Sequence, residues 1–339
     1  MKRSILGLAL LAPLTTLVHA QSSVQVSGTA DGGVRYQTNA DTAGNHRVSI
    51  GSNGYYSSNK LLFSGIEDLG DGNKVSFMLE NGFNLGTGGL DNTTGVLFNR
   101  QSFIQYSGKA GALSAGRQYT ISHDFILVYD PFSFHYTPLI PLTRASSGTR
   151  FNNDLKYAVN VGPFTLELEN SFGEFADDIN KGSARGVGLQ YNAGSLVFGA
   201  VYNKRNILVG TTFHDDNYYL IGAAYKLGPL KISGGTMKDE VVNAAPAENT
   251  VTRDSFGGVS YDLTSVFTLT GGYYLTDAPS DKSKRRGLAI VGIDYAMSKR
   301  TKLYAEVDYT RYKNAIVSTL NTVGAPHQTA FTVGLNHRF

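Results

Sequence analysis

Residues 24–36 read VQVSGTADGGVRY, and their polarity changes at nearly every step. Val24, Val26, Gly28, Ala30, Gly32, Val34 and Tyr36 fall on one side of an extended chain, with Gln25, Ser27, Thr29, Asp31, Gly33 and Arg35 on the other. Successive side chains of a strand point to opposite faces, so this stretch carries one apolar and one polar wall. The same period of two returns where Val75, Phe77 and Leu79 oppose Lys74, Ser76, Met78 and Glu80. It returns again where Leu303, Ala305, Val307 and Tyr309 oppose Lys302, Tyr304, Glu306, Asp308 and Thr310. The chain ends on it: Phe331, Val333, Leu335, His337 and Phe339 face away from Thr332, Gly334, Asn336 and Arg338. Beyond residue 20 no stretch carries a long helical period.

Short turns fall at Asp68–Asn73, Gly108–Gly111, Asn160–Pro163, Asn192–Gly194, Leu227–Pro229, Asp262–Ser265 and Ser298–Arg300. Longer polar segments lie near 37–57, 85–97, 119–148, 173–184, 204–217, 238–253, 277–286 and 313–328. Seven short and eight long connections join sixteen strands. An even strand number, with short turns at one end and long loops at the other, is the pattern of an outer-membrane barrel. A soluble β-sandwich alternates as well, but it leaves open edge strands. Lipid tolerates no open edge, because backbone groups there have no water to bond. The predicted fold is therefore all-β: a sixteen-stranded antiparallel transmembrane β-barrel, with both termini on the periplasmic side.

The first twenty residues read differently. Lys2 and Arg3 precede an apolar run from Ser4 to Leu17, and Val18-His19-Ala20 offers a small-residue cleavage site. The run is shorter than the roughly 20 residues of a spanning helix. Residues 1–20 are thus predicted to be a cleaved signal peptide, leaving 21–339 as one barrel domain. Without Lys2 and Arg3 the 30 basic residues become 28 against 27 acidic ones, a net charge of +1. That balance argues against a nucleic-acid partner, which needs a clustered basic excess. The 339 residues include 39 glycines, 20 tyrosines and 18 phenylalanines but no cysteine, so thiolate metal sites are excluded. There is no HExxH, GxSxG or GxxxxGK[ST] motif. His123, Asp124 and His135 are ordinary members of a polar loop, and no catalytic residue, cofactor or metal is assigned.

Two stretches, SSNKLLFSGIEDLGDGNKVSFMLENGFNLGTGGL at 57–90 and LFNRQSFIQYSGKAGALSAGRQY at 97–119, resemble the general porins of β-proteobacteria and Neisseria. The close, YAMSKRTKLYAEVDYTRY at 295–312 and FTVGLNHRF at 331–339, resembles the last strands of the same family, and QSSVQVSGTADGGVRY at 21–36 fits its start. The resemblance implies a water-filled barrel for passive diffusion of ions and small hydrophilic solutes. It also implies a homotrimer among outer-membrane lipids and lipopolysaccharide, and a third loop, here 119–148, folded inward to narrow the channel.

The resemblance also points to a basic wall. Arg117, in the GRQ triplet, matches a family pore arginine; Lys60 stands where the family has arginine; Arg150 opens the sixth strand as a third member. Its parity with Asn152, Asp154 and Lys156 puts Arg150 on the polar face. With Arg35 these cations are expected to face Asp124 and Asp130 on the loop, and to give a weak anion preference. Leu62 and Ile66 depart from the small or polar residues expected inside the second strand, which means either a shifted register or an apolar patch. Tyr129, Phe132, Phe134 and Tyr136 admit another reading, a substrate-specific channel with an aromatic lining for a sugar or aromatic solute. A blocked structural or adhesive barrel and an outer-membrane hydrolase are the remaining alternatives.

Overall fold

The computed structural model describes residues 23–41, 43–51, 53–143, 148–243, 249–279, 284–313 and 326–339; the predicted signal peptide lies outside them. The wall begins with β1 (Ser23–Gln37), β2 (Arg47–Ile50), β3 (Lys60–Gly70) and β4 (Asn73–Gly82). It continues with β5 (Gln101–Gly108) and β6 (Gly111–Tyr119), then helix α1 (Ile121–Tyr129) and a 3-10 turn, Pro141–Thr143. After these come β7 (Arg150–Val161), β8 (Phe164–Ser171), β9 (Ala184–Ala193), β10 (Leu196–Val209) and β11 (Thr212–Leu227). The remainder is β12 (Leu230–Val241), β13 (Thr250–Asp262), β14 (Phe267–Asp277), β15 (Arg285–Ala296), β16 (Thr301–Lys313) and β17 (His327–Arg338).

Every neighbouring pair is antiparallel, and the sheet closes where β1 meets β17, with Gly33 opposite Gly334. At the seam Gly28 N–H donates to the Phe339 carbonyl at 3.1 Å, and Phe339 N–H returns a bond to Gly28 at 3.2 Å. On its other side β1 pairs with β3 along Ser23–Thr29 and with β2 along Val34–Gln37. These two pieces share one position in the wall, so seventeen segments make the sixteen-stranded barrel. All seven predicted short turns join neighbouring strands.

Alternation carries through the wall as read from the sequence. In β1, Thr29, Asp31, Arg35 and Gln37 are buried, whereas Val24, Val26, Val34 and Tyr36 are exposed on the outside. Leu62 pairs with Ser27 and Glu80, and Ile66 with Ser23 and Ser76, so both belong to the inner wall. Met78, opposite Phe103, extends the same inner face. The register is regular there, and the apolar patch is the correct alternative.

Three long connections are shorter than predicted. The segment 238–253 is strand as far as Val241 and again from Thr250. Residues 47–50 of the segment 37–57 are strand. Residues 53–59 then lie off the sheet and bury Tyr55 and Tyr56. The inward carboxylate of Asp31 receives that excursion, accepting from Tyr55 N–H at 2.9 Å and Tyr56 N–H at 3.3 Å. The polar stretch 204–217 is no loop at all: β10 and β11 pair continuously down to Val209 opposite Thr212. Its charges sit in strands because they pair across them, Arg205 with Asp216 at 2.5 Å and Lys204 with Asp215 at 2.7 Å.

A row of glycines on β9 to β15 provides a bed for residues 121–136. A Cβ on Gly188 would lie 2.5 Å from Ile121, and one on Gly199 would lie 2.5 Å from the Tyr129 hydroxyl. At Gly222 a Cβ would fall on the Tyr129 ring. Pro131 lies against Gly258, and Phe132 against Gly272 and Gly292. Absence of side chains at these positions lets Ile121, Phe125, Ile126, Tyr129, Phe132 and Tyr136 form a buried cluster with Tyr218, Leu220 and Ile290. Gly222→Ala should therefore lower stability by about 1–3 kcal/mol, the usual cost of overpacking. Gly271→Ala, whose Cβ meets only Val291 at 4.0 Å, should leave it nearly unchanged. Urea midpoints of the two variants in detergent check the contrast.

Candidate functional site

The site is built where the wall hands over to the segment between β6 and β7. Gly116 at φ 137° and Asn153 at φ 50° mark a bulge that shifts the β6–β7 register between Gly116 and Gln118. Past it, Tyr119 stands opposite Arg150. Thr120 then caps α1, its hydroxyl accepting from His123 N–H at 3.3 Å. The cap turns the His123 ring onto Tyr119, stacked at 3.8 Å and nearly parallel.

Four cations converge beside this stack. Lys60 reaches Glu80 at 3.3 Å, and Arg100 Nε reaches the same carboxylate at 2.6 Å. Arg150 lies over the Tyr119 ring, 4.3 Å from its centroid. Arg338, on the inner parity of β17, makes no ion pair among the described residues. Together with Phe134, His123 and His135 these side chains line a cavity of about 430 Å³, and no carboxylate lines it among the described residues. A smaller cavity of about 170 Å³ lies on the other side of His135, lined by Tyr56, Asp294 and Lys302. Tyr56 stacks on His135 at 4.0 Å and donates its hydroxyl to Asp294 at 2.5 Å. Burial, with Lys302 and Arg338 nearby, pushes the His135 ring down to about 3, so it is neutral.

Of the predicted basic residues, Lys60 and Arg150 stand at the larger cavity, and Arg117 and Arg35 do not. Arg117 pairs with Ser102, whose own partner Leu79 is on the outer face, and it shares the parity of Leu113 and Ala115. It donates to the Asn99 carbonyl at 2.7 Å and to the Asn152 side chain. The GRQ triplet put the right strand in view, but the parity of the strand turns its arginine outward. Arg35 does face inward, yet it is buried between Glu306 and Asp308 at 2.7 Å each. Its charge is compensated where it sits.

The loop carboxylates are also occupied. Asp124 pairs with Lys156 at 2.7 Å. Although burial opposes it, that ammonium keeps the carboxyl below its ordinary value. Asp130 is fully buried, accepting from Tyr274 at 2.5 Å and from Phe134 N–H at 2.7 Å. Burial outweighs these bonds and raises its carboxyl to about 6. Among the proposed aromatics, Tyr129, Phe132 and Tyr136 are buried in the glycine bed, and only Phe134 borders the larger cavity. Lys302, beside a short turn, nevertheless lines the smaller one.

Arg100 and Arg338 were missed by the sequence reading. Arg338 had a signal, since it shares the polar parity of Thr332 and Asn336. Arg100 had none, because it precedes β5 and reaches Glu80 from outside the alternating run.

Comparison with known proteins agrees with this architecture. Residues 7–315 match the profile of a family described as Gram-negative porin. Outer membrane porin protein 32 of Delftia acidovorans is 30% identical over the full length of both chains. An outer membrane porin protein of Bordetella pertussis is 26% identical, again over both full lengths. Among solved structures, the anion-selective porin from Comamonas acidovorans superposes with a TM-score of 0.84 at 26% identity, covering 94% of this chain and all of its own. A closed sixteen-stranded barrel with this reach of similarity assigns the chain to the Gram-negative porin family, as a channel protein of the outer membrane and not an enzyme.

Proposed function

We propose that the channel conducts inorganic ions and small hydrophilic solutes passively, with a preference for anions set by Lys60, Arg100, Arg150 and Arg338. The observation that carries this reading is the larger cavity, lined by four cations and no carboxylate among the described residues. Glu80 compensates part of the charge of Lys60 and Arg100 from behind. Arg150 and Arg338 have no such partner among the described residues. Fixed charge beside a narrow aqueous path acts on every passing ion, whereas a whole-chain charge near neutrality exerts little long-range field. The relative from Comamonas acidovorans, described as anion-selective, agrees with the same direction.

The segment 119–148, whose residues 121–136 lie in the glycine bed, is read as the family's third loop, folded inward to narrow the channel. Burial of residues 121–136 against the inner glycines of β9 to β15 supports that path, as does the Arg286 bond to the Leu139 carbonyl at 2.7 Å. Burial of Tyr129, Phe132 and Tyr136 speaks for general permeation over an aromatic solute slide. Export with removal of residues 1–20 and assembly of 21–339 as a homotrimer among lipid and lipopolysaccharide complete the reading. An apolar groove on the outer wall between β16, β17, β1 and β2, where the outward position of Gly32 carries no side chain, offers room for close approach of a neighbour.

Reversal potentials across a salt gradient test the selectivity. Arg150→Ala and Arg338→Ala should each lower the anion-to-cation permeability ratio about twofold or more near 0.1 M salt, where charges are screened over about 10 Å. Arg117→Ala should change it much less. Near 1 M, with a screening length of about 3 Å, the differences should nearly vanish. An unchanged ratio in both cavity variants at low salt rejects the assignment.

Assembly has its own readout. Native mass of the purified protein in mild detergent should show three copies, each beginning at Gln21. A stable, conducting monomer rules out trimerisation as a requirement.

A further inference from the structure

We infer that Tyr119 is the positioning residue of the anion path: its single phenol oxygen holds Arg100 and Arg150 together without cancelling either charge. This rests on the anion-channel reading above and names the group that sets its geometry. Arg100 Nη2 and Arg150 Nη2 each donate to the Tyr119 hydroxyl oxygen at 2.7 Å. Two guanidinium groups sharing one acceptor are brought far closer than their mutual repulsion favours. A carboxylate in that place would hold them more strongly, but it would neutralise one of them. A hydroxyl oxygen accepts hydrogen bonds and carries no formal charge.

The phenol is itself held on every side. Its ring lies between the Arg150 guanidinium at 4.3 Å and the His123 ring at 3.8 Å. His123 is fixed in turn by Asp124 at 3.3 Å and by the edge of Phe134, 4.8 Å between centroids. The Tyr119 carbonyl accepts from Lys156, whose ammonium also holds Asp124. Tyr119 therefore ties the cations of the wall to the start of α1. Arg150 depends on it most, for it has no ion pair among the described residues and its buried Nε lacks a hydrogen-bond partner. Arg100 keeps Glu80 if the phenol is lost.

Tyr119→Phe removes the oxygen while preserving the ring, its stack on His123 and its face toward Arg150. No charge changes, yet the two guanidiniums are released from each other. The expected result is a fall of about twofold in the anion-to-cation permeability ratio near 0.1 M salt, with circular dichroism of the barrel like that of the parent. A merely structural role would give the same fall whatever the arginines are. The cycle with Arg100→Ala/Arg150→Ala separates the two: in that background Tyr119→Phe should leave the ratio unchanged.

If the parent shows no anion preference, the functional reading itself fails. If the parent is selective and Arg150→Ala lowers the ratio while Tyr119→Phe does not, the role given to Tyr119 is overturned and the reading stands. An equal fall in the double-arginine background overturns it as well.

Discussion

Backbone hydrogen bonding without water is the constraint on which the rest of this structure depends. A strand in hydrocarbon must find partners on both sides, so the sheet has to close. Closure falls on β1, which bonds β17 along one edge and both β2 and β3 along the other. The reciprocal bonds between Gly28 and Phe339 carry the seam to the last residue of the chain. With the backbone satisfied, the outer face is free to be apolar. Val24, Ile221, Val307 and Phe331 are all at least half or nearly half exposed, which a soluble protein of this size would avoid across a whole surface.

Closing the wall concentrates polar side chains in the interior, and the molecule treats them in two ways. Most are satisfied locally. Arg35 is held by Glu306 and Asp308, and Asp31 accepts from two backbone amides, Tyr304 and Asn336. Buried ions in such a setting need close partners, since losing one leaves an uncompensated charge. At the cavity beside Tyr119 the compensation is incomplete: a neutral phenol takes the place a carboxylate would hold. The local field of the channel therefore follows from which acceptors were placed beside which cations, and hardly from the net charge of +1 for residues 21–339.

Glycine does the complementary work on the opposite wall. Side chains at 188, 199, 222, 272 and 292 would occupy the space now filled by Ile121, Tyr129, Phe132 and Tyr136. The apolar segment is thereby buried against one side of the barrel, while the cations lie on the side of β3, β7 and β17. Aromatic residues that look like a solute slide in isolation serve here as anchors.

The period-two alternation determined the facing of residues in β1, β4, β16 and β17, because side-chain direction in a strand is set by position alone. The count of short and long connections determined a barrel of sixteen strands. Alternation also put Arg338 inside, whereas Lys60 was placed by its resemblance to a family arginine. Tertiary structure decided the rest. Arg117 points outward because its register with Ser102 overrides the motif it belongs to, and Arg35 is silenced by two carboxylates 271 and 273 positions away in the chain. Polar residues 204–217 became strand because their opposite charges meet across the hairpin. Arg100 and Arg150 meet on one oxygen only because a bulge and a helix cap aim Tyr119 at both. Alternation is a property of neighbours along the chain, whereas charge compensation depends on what lies across the barrel, and only closure brings those residues together.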